Sequence, residues 1–164
     1  MRHLASFFVV VAVVLLSSLA VVRAQESTPG AAGDLPFELL GAGPSSLAPG
    51  QGLALGRVTF PPVFSESNRH VQPYDYVVAV ESGSFAFTIE AGTLLLMRAG
   101  STEAEPVALG EEITVGEGDS FAGNPEVVWG LERVVGNEPM VAIGTLLGPP
   151  DAPETQYLDG TPTP

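Results

Sequence analysis

At 164 residues, 45% of them hydrophobic, the chain is long enough to build one core and reads as a single domain. Its 19 acidic residues face only six arginines and no lysine, a field that repels polyanions and excludes nucleic acid as a partner. The absence of cysteine excludes disulfides, a thiolate nucleophile and a zinc–thiolate site, so the core has to hold without covalent staples.

The N-terminus reads as an address. Arg2 and His3 give a short basic start, and Leu4 to Val22 is apolar except for Ser6, Ser17 and Ser18. Val22-Arg23-Ala24 then places small residues where a signal peptidase cuts. Residues 1–24 are therefore expected to be a signal peptide, making the protein secreted or extracytoplasmic, with no stable membrane insertion once the signal is removed. An uncleaved anchor is the alternative, because the run approaches the ~20 residues that span a bilayer. Residues 25–36, rich in Gly, Ala, Ser and Pro, are expected to be a flexible linker. Residues 149–164 hold five prolines and are expected to be a disordered tail, since proline brings no donor to a sheet. The ordered domain is then 37–148.

Within that domain the pattern is all strand. Leu53 to Phe60 forms a strand stopped by Pro61-Pro62, and Tyr74 to Glu81 is dense in Val and Tyr. Ser84 to Glu90 alternates Phe85, Phe87 and Ile89 against Ala86, Thr88 and Glu90, the period of a half-buried strand. The short Glu81-Ser82-Gly83-Ser84 connection predicts a hairpin between these two. Further strands follow at Thr93 to Arg98, Ile113 to Val115, Asp119 to Ala122, Val127 to Val135 and Pro139 to Leu147, separated by Gly- and Pro-containing turns. Many short strands with frequent turn breaks, and no capped helical period, predict a β-sandwich or barrel.

This order of strands and turns resembles the cupin superfamily, the small jelly-roll β-barrel, over roughly Leu53 to Leu147. Cupins carry two motifs that set metal ligands on facing strands. The first, a His-x-His followed by a glutamate and a glycine, lines up here with His70-x-Gln72, Tyr76 and Gly83. The second opens at Gly118 and passes a turn at Gly123-Asn124-Pro125; Trp129 then falls at the histidine position and Arg133 at the asparagine position. The framework matches, but of the usual three histidines and one glutamate only His70 is present. The resemblance implies an inward-facing set, so His70, Gln72, Tyr76, Trp129 and Arg133 are the candidate ligand pocket. Arg133 is the residue to grip a ligand carboxylate by a bidentate contact.

No transition metal and no other cofactor is expected, because one imidazole cannot supply the converging donors such an ion needs and an indole offers no lone pair. Glu117 and Asp119 lack the spacing of a calcium loop and read as a turn. No residue is assigned to catalysis: His70 could serve as a base, but no Gly-x-Ser-x-Gly elbow accompanies it. The functional expectation is an exported, non-enzymatic module that binds a small ligand or serves association. The alternative is a metal-dependent cupin enzyme, of isomerase or dioxygenase type, with an altered metal site. Pairing of cupins through edge strands implies a homodimer, which would also cover an exposed edge.

Overall fold

The computed structural model describes residues 35–159, and these form thirteen strands and no α-helix. The expected signal peptide, nearly all of the linker and residues 160–164 lie outside the described residues. In chain order the strands are β1 Phe37–Pro44, β2 Gly52–Phe60, β3 Ser65–Glu66, β4 His70–Val71, β5 Asp75–Ser82, β6 Ser84–Ala91 and β7 Leu95–Met97. They continue as β8 Ala104–Pro106, β9 Ile113–Gly116, β10 Ser120–Gly123, β11 Val128–Val134, β12 Met140–Gly148 and β13 Gln156–Tyr157. The alternation read in β6 holds in part: Phe85, Phe87 and Ile89 are buried in the core and Glu90 is exposed, but Ala86, expected on the open face, is fully buried as well.

The pairings form a nest. Of the eight principal strands, the first pairs with the last (β2 with β12), the second with the seventh (β4 with β11), the third with the sixth (β5 with β10) and the fourth with the fifth (β6 with β9), all antiparallel. Rolling such a ladder up yields two facing sheets, the jelly-roll arrangement. One sheet runs β1-β2-β12-β5-β10-β7-β8, and the other runs β13-β4-β11-β6-β9, with β3 also on β11. Their inner faces meet over Phe85, Phe87, Ile89, Leu94, Val115 and Met140. Fourteen side chains are buried in this cluster, enough apolar surface to stand in for the missing disulfides.

Two expectations need correction. Tyr74–Glu81 and Ser84–Glu90 do not form a hairpin. β5 bonds to β12 and β10 in one sheet, while β6 bonds to β11 and β9 in the other. The chain turns a corner between sheets at Gly83, whose φ is +77° and where an added Cβ would sit 2.5 Å from the Pro139 carbonyl oxygen. A short glycine turn joins adjacent strands in either case, so its length alone did not distinguish a hairpin from a corner. Residues 149–159 are not a loose tail either. No proline lies between Pro153 and residue 159, and Gln156–Tyr157 keeps its backbone donors and pairs with Val71 and His70. The Leu158 N–H also donates to the Arg69 carbonyl at 2.8 Å.

Candidate functional site

The site is built around β11 and depends on a break in its regularity. Against β6, Trp129 lies opposite Ile89 and Glu132 lies opposite Phe87, so three steps along β11 match two along β6. The extra residue is a bulge at Gly130–Leu131, which reverses the side-chain alternation beyond it. Trp129, Glu132 and Val134 consequently all face the interior. Arg133 faces out and bonds through Nη2 to Glu112 Oε1 at 2.7 Å. Even spacing along the strand would have put Arg133 inside, so the bulge exchanges its place with that of Glu132.

His70 on β4 sits directly opposite Trp129. The two rings stack with centroids 6.5 Å apart and planes 8° from parallel. Nδ1 of His70 is 3.0 Å from the Asn68 carbonyl oxygen, which can only accept, so Nδ1 carries the proton and Nε2 presents a lone pair. That lone pair faces Glu132 Oε2 at 3.3 Å. Burial lowers the His70 pKa below its ordinary value. Burial first, and then the nearby Glu66 carboxylate, push Glu132 up to about 8. At neutral pH the pair is accordingly uncharged, a carboxylic acid donating to a neutral imidazole.

Glu66 on β3 lies opposite Glu132. Its Oε1 accepts the Ser67 and Asn68 backbone N–H groups, each at 2.8 Å, and the Asn68 side-chain amide at 2.7 Å. Its Oε2 accepts the Tyr157 hydroxyl at 3.4 Å, and the Tyr157 ring lies 5.8 Å from that of His70. Three short strands, β3, β4 and β13, thus meet β11 in one polar network.

Tyr76, on β5, closes the other side. Its hydroxyl accepts the Trp129 Nε1–H at 3.1 Å, and burial raises its pKa above the ordinary tyrosine range. The ring lies so close over Gly123 that any side chain there would meet the hydroxyl. Trp129 is also 5.1 Å from Phe87 and 5.8 Å from Phe121, ring centre to ring centre, so aromatic rings fill the barrel at this level. Of the candidate pocket residues, His70, Tyr76 and Trp129 come together. Gln72 does not join them: it lies just past β4 and donates to the Thr155 hydroxyl at 3.4 Å. Two surface concavities, of about 250 and 380 Å³, are lined by other residues, the larger by Gln51, Pro73, Asp75, Pro125 and Pro149 among others. The sequence offers Glu66 or Asp75 as a partner for His70, and it is Glu66 that lies in this network. Sequence reasoning missed Glu132 and Tyr157, and Tyr157 bore no signal beyond its residue type.

No family model and no curated protein matches the chain. Among solved structures it is similar to those of the DMSP lyases RdDddP and RnDddQII, at 14% identity and a TM-score of 0.47, covering 74% of this chain and 51% of that one. It is similar to an oxalate decarboxylase from Lactobacillus farciminis, at 14% and 0.41, covering 65% and 27%. It is also similar to procruciferin, an 11S globulin from Brassica napus, at 15% and 0.43, covering 65% and 28%. The chain spans about half or less of the length of these proteins. Its own nested strand order settles the architecture.

The fold is cupin-like.

At the level where cupins hold a metal, the residues of this cupin-like barrel do not fit one. Both His70 nitrogens are engaged, the indole of Trp129 has no lone pair to give, and the Tyr76 hydroxyl is bonded to that indole. Among the described residues no three His, Asp or Glu side chains converge to hold an ion. The Asp119 carboxylate is a structural brace: it accepts from Ala99 N at 2.8 Å, Gly116 N at 3.0 Å and Arg98 Nη1 at 2.8 Å. Burial alone would raise the Asp119 pKa; the backbone bonds and Arg98 outweigh it and hold the carboxyl below its usual value.

Proposed function

We propose that this chain is a non-catalytic cupin-like association module that works outside the cytoplasm. One observation carries the reading: Trp129 lies opposite His70 with its N–H spent on Tyr76, so the place that would hold reacting groups is packed aromatic core. A barrel filled in this way offers its outside to partners, and the unused chemistry of its interior serves stability. The basic start, apolar run and Val22-Arg23-Ala24 site of the sequence support export, and a cysteine-free chain tolerates an oxidising compartment. The competing reading, a metal-dependent isomerase or dioxygenase, has only the His70–Glu132 pair to work with.

Elemental analysis and native mass spectrometry of freshly purified protein test the proposal. The expected result is no stoichiometric metal and no retained small molecule. One Fe, Mn, Zn or Ni per chain would overturn it. Trp129→Ala is expected to act as a core truncation, lowering stability by about 3–5 kcal/mol in urea titrations.

A further inference from the structure

Residues 149–159 lie across the polar network without entering the core. None of them is buried, and none belongs to the apolar cluster between the sheets. Polar contacts hold them in place. Tyr74 donates its hydroxyl to the Ala152 carbonyl at 2.6 Å, the Leu158 N–H donates to Arg69 at 2.8 Å, and Gln156–Tyr157 pairs with Val71 and His70. Longer contacts join Gln72 to Thr155 at 3.4 Å, Tyr157 to Glu66 at 3.4 Å and Arg69 to Asp159 at 3.5 Å. All of these partners fall between Glu66 and Tyr74, so the segment can leave as one piece while the nested ladder stays paired. A segment with half-exposed hydrogen bonds and no buried apolar side chain opens far more readily than the whole fold. Beneath it lies the His70–Glu132 pair. Tyr157 sits opposite His70 with its ring 5.8 Å away, and His70 is only 2% exposed.

We propose that residues 149–159 are a strap that lifts off β4 as Glu132 ionises, opening the His70–Glu132 pair to solvent when the medium turns alkaline. The groups facing the Glu132 carboxyl are Glu66 from β3, His70 from β4, Tyr157 from β13 and, on the far side, Tyr76 from β5. β6 presents only Phe87 opposite it. No arginine meets it: Arg133 is turned out to Glu112, and Arg69 is held by Glu90 and Asp159. An ionised Glu132 therefore has the Glu66 carboxylate beside it and no cation to answer it, so it requires water. β4, β5, β6 and β11 are bound into the ladder, and the strap is the neighbour that can move aside. With the strap down, burial and Glu66 keep the proton on Glu132 up to about 8; with the strap lifted, water reaches the carboxyl and the proton leaves at lower pH. Closure thus takes up a proton and weakens as pH rises. His70 opposes the effect below about 6.5, where a solvated ring gains a proton, so the change is confined to the interval from there to about 8. These contacts do not depend on the chain being an association module.

Hydrogen–deuterium exchange of the full chain, followed by mass spectrometry and referenced to intrinsic amide rates at each pH, reads the opening. Protection of the peptide spanning 149–159 is expected to fall roughly 10- to 30-fold between about pH 6.5 and 8, since one linked proton shifts an equilibrium up to ~10-fold per pH unit. In Glu132→Gln the fall is expected to vanish. Glu66→Gln keeps an acceptor for the Ser67 and Asn68 N–H groups but removes the charge that presses on Glu132. It is expected to shift the fall to lower pH, and it repeats the test if Glu132→Gln does not fold. Amides of β6 are expected to stay at least ~100-fold better protected than the strap at every pH. Strap protection indifferent to pH, a fall that persists in Glu132→Gln, or a fall unshifted in Glu66→Gln overturns the proposal. So does a strap as well protected as β6, because it then leaves only when the whole chain unfolds.

Discussion

Glu132 shows how much one inserted residue in a strand decides. The bulge at Gly130–Leu131 turns its carboxyl inward, where His70 meets it at 3.3 Å and Glu66 disfavours its ionisation. An unfolded glutamate ionises near 4.5, whereas Glu132 holds its proton until about 8. The folded state thus binds the extra proton between those values, and stability falls as pH rises through them. His70 works in the opposite direction, since the unfolded chain gains a proton below about 6.5 that the buried ring refuses. The two slopes oppose each other up to about 6.5, and from there to about 8 Glu132 acts alone. Glu132→Gln keeps a donor toward His70 and removes the titration. Wild type is expected to lose about 2 kcal/mol relative to this variant between pH 6.5 and 8, at about 1.4 kcal/mol per pH unit, in urea titrations. Tyr76 and Trp129 also face Glu132's side of the barrel, and both stay neutral through that window. In the sequence, it is the resemblance to the cupin motifs that places His70, Tyr76 and Trp129 inside the barrel. Glu132 and Arg133 exchanged places because nothing in Trp-Gly-Leu-Glu-Arg marks a bulge except a glycine, which strands tolerate for several reasons.

Among the elements, most strands of three residues or more were legible and those of two were not; the eight-residue β1 also escaped, because Gly41, Gly43 and Pro44 interrupt its apolar run. β2, β5, β6, β11 and β12 carry enough Val, Leu, Ile and Phe at strand periodicity to declare themselves. Two-residue strands such as β3, β4 and β13 have no period to read, and they exist because β11 and β4 already offer open edges. Topology was illegible at the β5–β6 junction for a related reason: a turn signal names a reversal, and the sheet that receives the next strand depends on distant partners. The corner itself can be tested. Gly83 and Gly110 share nearly the same φ, +77° and +74°, but a Cβ at Gly83 would strike the backbone of Pro139 and Met140, while Gly110 opens onto free space. Gly110→Ala is expected to lower stability by about 1 kcal/mol, and Gly83→Ala by about 3 kcal/mol or more, as read from denaturation midpoints. Equal losses would show that the corner is not tightly packed.

For the whole molecule the dominant long-range force is self-repulsion. All four described arginines sit against carboxylates, Arg57 on Glu38 and Glu81, Arg69 on Glu90, Arg98 on Asp119 and Arg133 on Glu112, and most of the acids remain without a counter-charge. Exposed pairs of this kind add little, so screening relieves more repulsion than it removes attraction. The melting temperature is expected to rise by about 2–5 °C between 0.01 and 0.5 M NaCl, read from circular dichroism at a single low protein concentration. The nested ladder also governs how the molecule comes into being. Each step outward, from β6 with β9 to β2 with β12, closes a longer loop, and the entropy of closure grows with it. Assembly is therefore slow beside that of a helical chain of equal size. On the ribosome, β2 waits without its neighbour β12 until Met140–Gly148 has been synthesised, so a product cut short before that strand leaves an apolar ribbon open along one side.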